Sequence, residues 1–489
     1  MSVAEDRLNV VATPTGQTGE TMQNILERQK QAHREAGPPS VEKRIEWIDR
    51  AIALLVDNQS EIAEAISSDF GHRSSEMSLL TDVMGSVGPL KHAKENIHRW
   101  VKPEKRKPQF PLNLMGAKAR VEYQPLGCIG VISPWNFPVN LTFAPLAGIF
   151  AAGNRCMIKP SEYTPASSEL MRRMFSEAYD ETEVTVITGG PETGEAFSRL
   201  PFDHLLFTGA TSVARHVMRA ASENLVPVTL ELGGKSPVII SDSADMEDAA
   251  ARVMNGKTMN AGQICLAPDY VFVPKGEGDN FVREATRSVE SMFPTLKDNP
   301  DYTSVINQRH YDRLRGYLED ADSKGAKLVE INPAKEDFSQ QATHKIPPTI
   351  VLNPTDDMKV MQDEIFGPVL PVKEYQSVDE AIDYVNDHDR PLGLYYFGRN
   401  ETEERKLLDR TTSGGVTLND VIMHVSMEDL PFGGVGPSGM GSYHGVDGFH
   451  TFSHAKAVYV QSKFKMVAEM FRPPYGEKTR KRIATGIKK

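Results

Sequence analysis

The sequence predicts an α/β protein made of two units of parallel strand–helix alternation, preceded by a helical N-terminal region. Three observations predict it. A chain of 489 residues with 39% hydrophobic content is too long for one core and divides into two or three domains. From position 119, short β-branched runs alternate with helical segments, the texture of βαβ units. The same texture resumes at 238 and continues to about 419, which makes a second α/β unit.

Residues 1–20 are polar and expected to be mobile, and the start, Met1-Ser2-Val3-Ala4-Glu5-Asp6, has neither the basic nor the apolar region of a secretory signal. Residues 20–37 read as a charged helix. Across 41–70, Ile45, Ile48, Ala51, Leu54, Leu55, Ile62, Ala65 and Ile66 recur at helical spacing, with Gly71 as the stop. A further helix is expected over 76–100, and the basic, Pro-containing 102–111 reads as a connector. Strands over 127–133, 155–159, 185–188, 204–207 and 228–232 alternate with helices over 144–152, 165–179, 194–199 and 212–224. Later strands fall near 238–240, 270–273, 350–352 and 416–418. The most apolar stretch, 126–152, is interrupted by Pro134, Asn136, Pro138, Asn140 and Pro145. It reads as a buried strand, a loop and a helix, and not as a membrane span. The tail carries Lys478, Arg480, Lys481, Arg482, Lys488 and Lys489. It reads as a solvated, frayed terminus, because Ile483 and Ile487 alone are thin support for a membrane-surface face.

The formal net charge of −11 argues against nucleic acid as the main partner, since a phosphate backbone selects a basic face. It leaves room for an anionic cofactor in a local pocket. The three cysteines, Cys128, Cys156 and Cys265, show no CxxC spacing, so neither a disulfide framework nor a zinc site is expected and a reducing, cytoplasmic setting fits. Gly434-Val435-Gly436-Pro437-Ser438-Gly439 matches GxGxxG. No strand leads into it, Pro437 interrupts it and no acidic residue lies about twenty positions on, so the dinucleotide fingerprint is not met. These glycines are read as allowing close backbone packing.

Three stretches carry chemistry. Cys128 and Cys156 sit inside apolar runs and read as small buried hydrophobes. Cys265 follows Asn260-Ala261-Gly262-Gln263 and precedes Pro268, a poor core sequence. By itself it reads either as packing or as a nucleophile on a loop. Glu231 sits in an apolar strand before Gly233-Gly234, on an exposed face or buried as a base with a raised pKa. Asn136 lies between Trp135 and Phe137 in a loop bounded by Pro134 and Pro138, and alone it reads as an Asn satisfying its own turn.

Together with Lys159-Pro160-Ser161-Glu162, Phe207-Thr208-Gly209, Glu231-Leu232-Gly233-Gly234-Lys235, Gly262-Gln263-Ile264-Cys265 and Glu364-Ile365-Phe366-Gly367-Pro368, these stretches resemble the aldehyde dehydrogenase superfamily over about 28–475. The Glu231-to-Cys265 spacing is the family's, and the Asn136-to-Glu231 spacing resembles its class 3 branch. The runs Cys265-Leu266-Ala267-Pro268-Asp269-Tyr270, Asp301-Tyr302-Thr303-Ser304 and Ser453-His454-Ala455-Lys456-Ala457-Val458 look like the bacterial enzymes that oxidise coniferyl aldehyde.

The resemblance implies an aldehyde dehydrogenase-like fold. A Rossmann-type NAD domain would span 1–103 and 128–231, and an α/β catalytic domain 232–419. A bridging and oligomerisation element would span 104–127 and 420–470, with a basic tail over 471–489. It also implies Cys265 as nucleophile, Glu231 as the base that activates water, and the Asn136 amide with the Cys265 backbone N–H as oxyanion donors. Trp135, Lys159, Glu162, Gly209, Ala210, Glu364 and Phe366 would bind the cofactor, with no metal. Glu162 should repel a 2′-phosphate, so NAD is expected over NADP. The family commonly carries Gly at the position of Ala214. The expected protein is a soluble homodimer or larger homo-oligomer acting on a small aldehyde, coniferyl aldehyde giving ferulate. Rival readings are an enzyme for aliphatic or other aromatic aldehydes, a CoA-acylating relative, which Glu231 argues against, and a catalytically silent paralogue. A cysteine protease lacks a His placed by motif.

Overall fold

The computed structural model describes residues 19–110, 112–464 and 472–488. The mobile start expected over 1–20 therefore lies, up to residue 18, outside the described residues, as do 465–470 of the expected bridging element.

Two open sheets carry the fold. The first has six strands in the order Gly439–Met440, Val228–Glu231, His204–Thr208, Cys128–Ile132, Arg155–Lys159, Val184–Val186. Every pair in it is parallel except the edge pair Gly439–Met440 with Val228–Glu231. The second has seven, in the order Lys327–Glu330, Thr349–Leu352, Val369–Tyr375, Tyr270–Pro274, Pro237–Ile240, Gly393–Phe397, Gly415–Leu418. Only its Lys327–Glu330 edge is antiparallel. Central strands such as Cys128–Ile132, Arg155–Lys159 and Tyr270–Pro274 are buried almost throughout. This is why they read as continuous apolar runs and not as alternation. A third sheet of three antiparallel strands joins Glu104–Arg106, Lys118–Pro125 and Ser453–Val460.

The helices depart from the sequence expectation in three places. The helix expected over 41–70 is two, Val41–Asp57 and Gln59–Phe70, broken at Asn58, with Gly71 in the left-handed conformation that ends the second. The helix expected over 76–100 is a short α-turn, Ser75–Ser78, a π-helix, Leu79–Met84, and an α-helix, Gly85–Trp100. The wider π turn brings Asp82 inward, where it is fully buried against Arg73. The tail is not frayed over its whole length: Glu477–Gly486 is helical, although none of its residues is buried. Among the described residues, no helix is long and apolar enough to cross a membrane.

Gly434 and Gly439 pack backbone against backbone, as their sequence suggested, whereas Gly436 faces open space at a φ of +65°. Gly439 pairs with Glu231 across the sheet edge. Its φ is +144° and a Cβ there would lie 2.2 Å from the Leu230 carbonyl oxygen. Gly439→Ala should therefore destabilise the fold by about 1–3 kcal/mol, the usual cost of overpacking, and should loosen the strand that ends in Glu231. A thermal melt of the variant that matched wild type would refute this.

Candidate active site

Cys265 stands at the end of a segment the backbone would not adopt unaided. The helix Met246–Thr258 stops, and Asn260, Ala261 and Gly262 follow with φ of 49°, 50° and 72°. Left-handed geometry costs a non-glycine residue about 1–2 kcal/mol, so two in succession require outside support. Asn260 supplies part of it: its Nδ2 donates to the carbonyls of Asn136 (3.1 Å) and Gln263 (3.2 Å). Gln263 supplies the rest. Its Nε2 donates to the Asn260 and Ser304 carbonyls at 2.9 and 3.0 Å, and its Oε1 accepts from Ile306 N–H at 3.0 Å. Gly262 has to be glycine, since a Cβ would meet the Gly367 carbonyl oxygen at 2.3 Å. Cys265 is left half-buried beyond this knot.

Glu231 is the last residue of its strand and is 1% exposed. Both its carboxyl oxygens are buried with no hydrogen-bond partner among the described residues. Burial raises its pKa to about 8, the Cys265 thiol beside it draws the value part of the way back, and the charge of Glu364 raises it. The Cys265 thiol is pushed well above its ordinary value by burial, then by the charges of Glu231 and Glu364. Glu364 is itself raised to about 8, by burial first and Asp269 second. It reaches this position over Gly233, where a Cβ would lie 2.2 Å from Glu364 Oε1. The double glycine after Glu231 is thus an approach path for a second carboxyl.

Asn136, 3% exposed, turns its amide towards the Cys265 segment, Nδ2 donating to the Gln263 carbonyl at 3.2 Å. Its neighbour Trp135 faces Phe366 at 5.3 Å between ring centroids and His310 at 5.0 Å. Phe366 also sits at positive φ, 47°.

The remaining predicted residues lie at the carboxyl ends of parallel strands, where open α/β sheets hold their ligands. Lys159 ends Arg155–Lys159. Its buried Nζ donates to the Pro160 carbonyl at 2.9 Å and to Glu162 Oε2 at 3.2 Å. Gly209 and Ala210 follow His204–Thr208, and Gly209 N–H donates to the Glu231 carbonyl at 3.1 Å. Ala210 begins the helix Thr211–Ser222 without a side-chain cap. That leaves a helix N-terminus suited to an anion. The Ala214 methyl, where the family commonly has Gly, is buried in the apolar cluster with Phe207 and Leu230 and so lies in the core.

Several residues at the site had no sequence signal. Tyr443 is buried within the electrostatic reach of Glu231 and Cys265. Lys257, on the helix before Asn260, has a buried amine with no partner among the described residues, and burial lowers its pKa to about 8. Arg73 reaches the Asn136 carbonyl from a distant part of the chain, and Asp82 pairs with Arg73 behind it. Each is an ordinary residue in an ordinary stretch, and only the fold makes it notable.

The profile of the aldehyde dehydrogenase family matches residues 4–458. The chain belongs to the aldehyde dehydrogenase family. It is 67% identical to the probable coniferyl aldehyde dehydrogenase of Caulobacter vibrioides, over 96% of this chain and 97% of that protein. It is 56% identical to the coniferyl aldehyde dehydrogenase of a Pseudomonas species, over 96% of each. The substrate-bound Staphylococcus aureus AldH superposes with a TM-score of 0.89 at 34% identity, covering 96% of this chain and 99% of that one. A Mycobacterium tuberculosis aldehyde dehydrogenase complexed with NAD+ does so at 0.81 and 26%, covering 91% of each. The activity is therefore oxidation of an aldehyde to a carboxylic acid with a nicotinamide dinucleotide, NAD(P).

A raised carboxyl pKa has a consequence for this aldehyde dehydrogenase's stability. Between the ordinary value of 4.5 and about 8, an unfolded Glu231 is ionised while the folded one keeps its proton, so stability falls as pH rises through that window. Glu231→Gln removes this loss. Its melting temperature should exceed wild type by a margin that widens across the window and closes below it. Parallel melting curves for the two proteins at all pH values would contradict the burial argument.

Proposed function

We propose that this aldehyde dehydrogenase oxidises a hydroxycinnamaldehyde, coniferyl aldehyde to ferulate, through a thioester on Cys265. The observation that carries the chemistry is the buried, unpartnered Glu231 carboxyl beside the Cys265 thiol. The substrate class is supported by the 67% and 56% identity to proteins named for coniferyl aldehyde.

In this reading, Glu231 accepts the Cys265 proton and the thiolate sulfur bonds to the aldehyde carbon. The carbonyl π electrons move to oxygen, which accepts hydrogen bonds from the Asn136 amide and the Cys265 backbone N–H. One Asn136 N–H is engaged by the Gln263 carbonyl, which fixes the amide plane and leaves its second N–H for the oxyanion. Each such donor is worth roughly 3 kcal/mol of barrier. When bound, a nicotinamide dinucleotide supplies the chemistry between thiohemiacetal and thioester, accepting the former aldehyde hydrogen as hydride. Glu231 next gives the proton it took from Cys265 to solvent, and as the carboxylate it takes one from water while the water oxygen attacks the thioester carbon, passing that proton on to the departing sulfur. The C–S bond breaks, and the acid leaves with Cys265 restored.

The donors present fit that cofactor. Lys159 and Glu162 would hold the adenosine ribose, the uncapped turn at Gly209 and Ala210 the pyrophosphate, and Glu364, Trp135 and Phe366 the nicotinamide side. Glu162 supports NAD over NADP, because a carboxylate repels a 2′-phosphate. The 1–103 with 128–231, 232–419, and 104–127 with 420–470 divisions serve as NAD-binding, catalytic and bridging units. The exposed edge strand Ser453–Val460 of the three-stranded sheet is the face we assign to pairing with a second copy, giving a homodimer or larger homo-oligomer. Three free cysteines suit a cytoplasmic setting.

Given coniferaldehyde and a medium-chain aliphatic aldehyde together with NAD, the enzyme should yield mainly ferulate, and Cys265→Ala should yield no acid. Dominant aliphatic acid would overturn the substrate assignment, and acid from Cys265→Ala would overturn the nucleophile. Because the base must be ionised, kcat should rise with pH and level off above about 8. A flat profile from pH 6 upward would remove Glu231 from the rate-limiting proton transfer. Catalytic efficiency should be lower with NADP than with NAD, and equality would sink the assignment of Glu162.

A further inference from the structure

A fully buried ion pair lies behind the Asn136 loop, with both side chains at 0% exposure. Arg73 Nη2 donates to Asp82 Oδ2 at 2.7 Å and to Thr81 Oγ1 at 2.8 Å, while Nη1 donates to the Asn136 carbonyl at 2.9 Å. The guanidinium is flanked by the rings of Phe70 (5.2 Å) and Phe137 (4.9 Å). The other Asp82 oxygen, Oδ1, accepts from the backbone N–H groups of Val139 and Asn140, both at 3.1 Å. One ion pair thus grips the loop at both ends, at the Asn136 carbonyl and at the start of the helix Asn140–Ala152. The Asn136 carbonyl also accepts from Asn260, which ties the same point to the left-handed turn before Cys265.

We propose that the Arg73–Asp82 pair is a positioning device for the Asn136 amide, setting it against Cys265; this rests on the reading of Asn136 as oxyanion donor. Stability alone does not account for the pair. Well-packed apolar residues often replace buried ion pairs at no cost or with a gain. Direction does account for it. A planar guanidinium aims separate N–H groups at a carboxylate and a carbonyl at once, which an ammonium does with less definition. The π-helix Leu79–Met84 has a purpose in the same terms, since such turns occur often at functional sites and this one delivers Asp82.

The test is a double-mutant cycle on the full enzyme, reading kcat and KM for the aldehyde at saturating NAD alongside the melting temperature. Asn136→Ala should lower kcat about 100-fold or more. Arg73→Lys should lower kcat ~10- to 100-fold with KM little changed, since small misplacements of catalytic groups cost on that order. Added to Asn136→Ala, it should cause no further loss, because its effect runs through that amide. The paired replacement Arg73→Met with Asp82→Leu should restore a wild-type melt without restoring kcat. Equal losses from Arg73→Lys in both backgrounds, or wild-type kcat in the folded paired variant, would overturn the proposal. Wild-type kcat in Asn136→Ala would instead overturn the oxyanion reading beneath it.

Discussion

The site depends on a buried carboxyl that has no partner among the described residues, set beside a half-buried thiol. In water Glu231 would ionise readily, and here burial raises it to about 8. Cys265 moves the same way for the same reason. Burial penalises the anion of each, and the charge of Glu231 further opposes ionisation of Cys265, so the pair accommodates one anion at most and keeps a base within reach of the thiol proton. A salt bridge to Glu231 would make the fold more stable and leave the carboxylate a weaker base. The unpartnered state is kept by geometry, because the strand that carries Glu231 is clamped by Gly439 on one side, and Glu364 closes over Gly233 on another.

Holding such a pair requires rigid surroundings, and the rigidity comes from polar contacts aimed at backbone. Asn260, Gln263, Arg73 and Asp82 all direct their side chains at main-chain groups of the two loops that meet at Cys265. Main-chain targets matter because they set the path of the loop itself, whereas apolar packing leaves it free to slide. The cost is left-handed backbone at Asn260 and Ala261, which persists because the contacts around it over-determine it.

Much of this was legible in the amino-acid order, for identifiable reasons. The buried parallel strands announced themselves because a strand covered on both faces is an apolar run, and Gly71 ended its helix where a left-handed cap was due. Cys265 and Glu231 each left two readings open from their own stretches and Asn136 alone read as a turn residue; only the family resemblance singled out the three together. Asn260 and Gln263 lay inside a quoted motif, but nothing local indicated that their side chains would close on Ser304 and Ile306. Arg73 and Asp82 could not be read at all. Arg73 lies in the short link between the helices that end at Phe70 and begin at Ser75, and only the π turn, which has no sequence period of its own, brings Asp82 inward. Val369–Tyr375 and Gly393–Phe397 were passed over as strands, the first holding Pro371 and the second opening on Gly393, residues that weaken a strand reading until neighbours supply the ladder.

The division between legible and illegible residues follows the division of labour. Residues that meet the substrate must be a particular chemical type, so as a set they are recognisable. Residues that aim them need only reach the right main-chain atom, and many residue types at many positions can do so. Asn136 illustrates both sides. Its side chain bears the amide, and its carbonyl, which any residue would have supplied, is where Arg73 and Asn260 take hold. A site of this kind is therefore recognised by its reacting groups and set by contacts to backbone, and the second set is where enzymes sharing these reacting groups can differ in rate without any change in the groups that react.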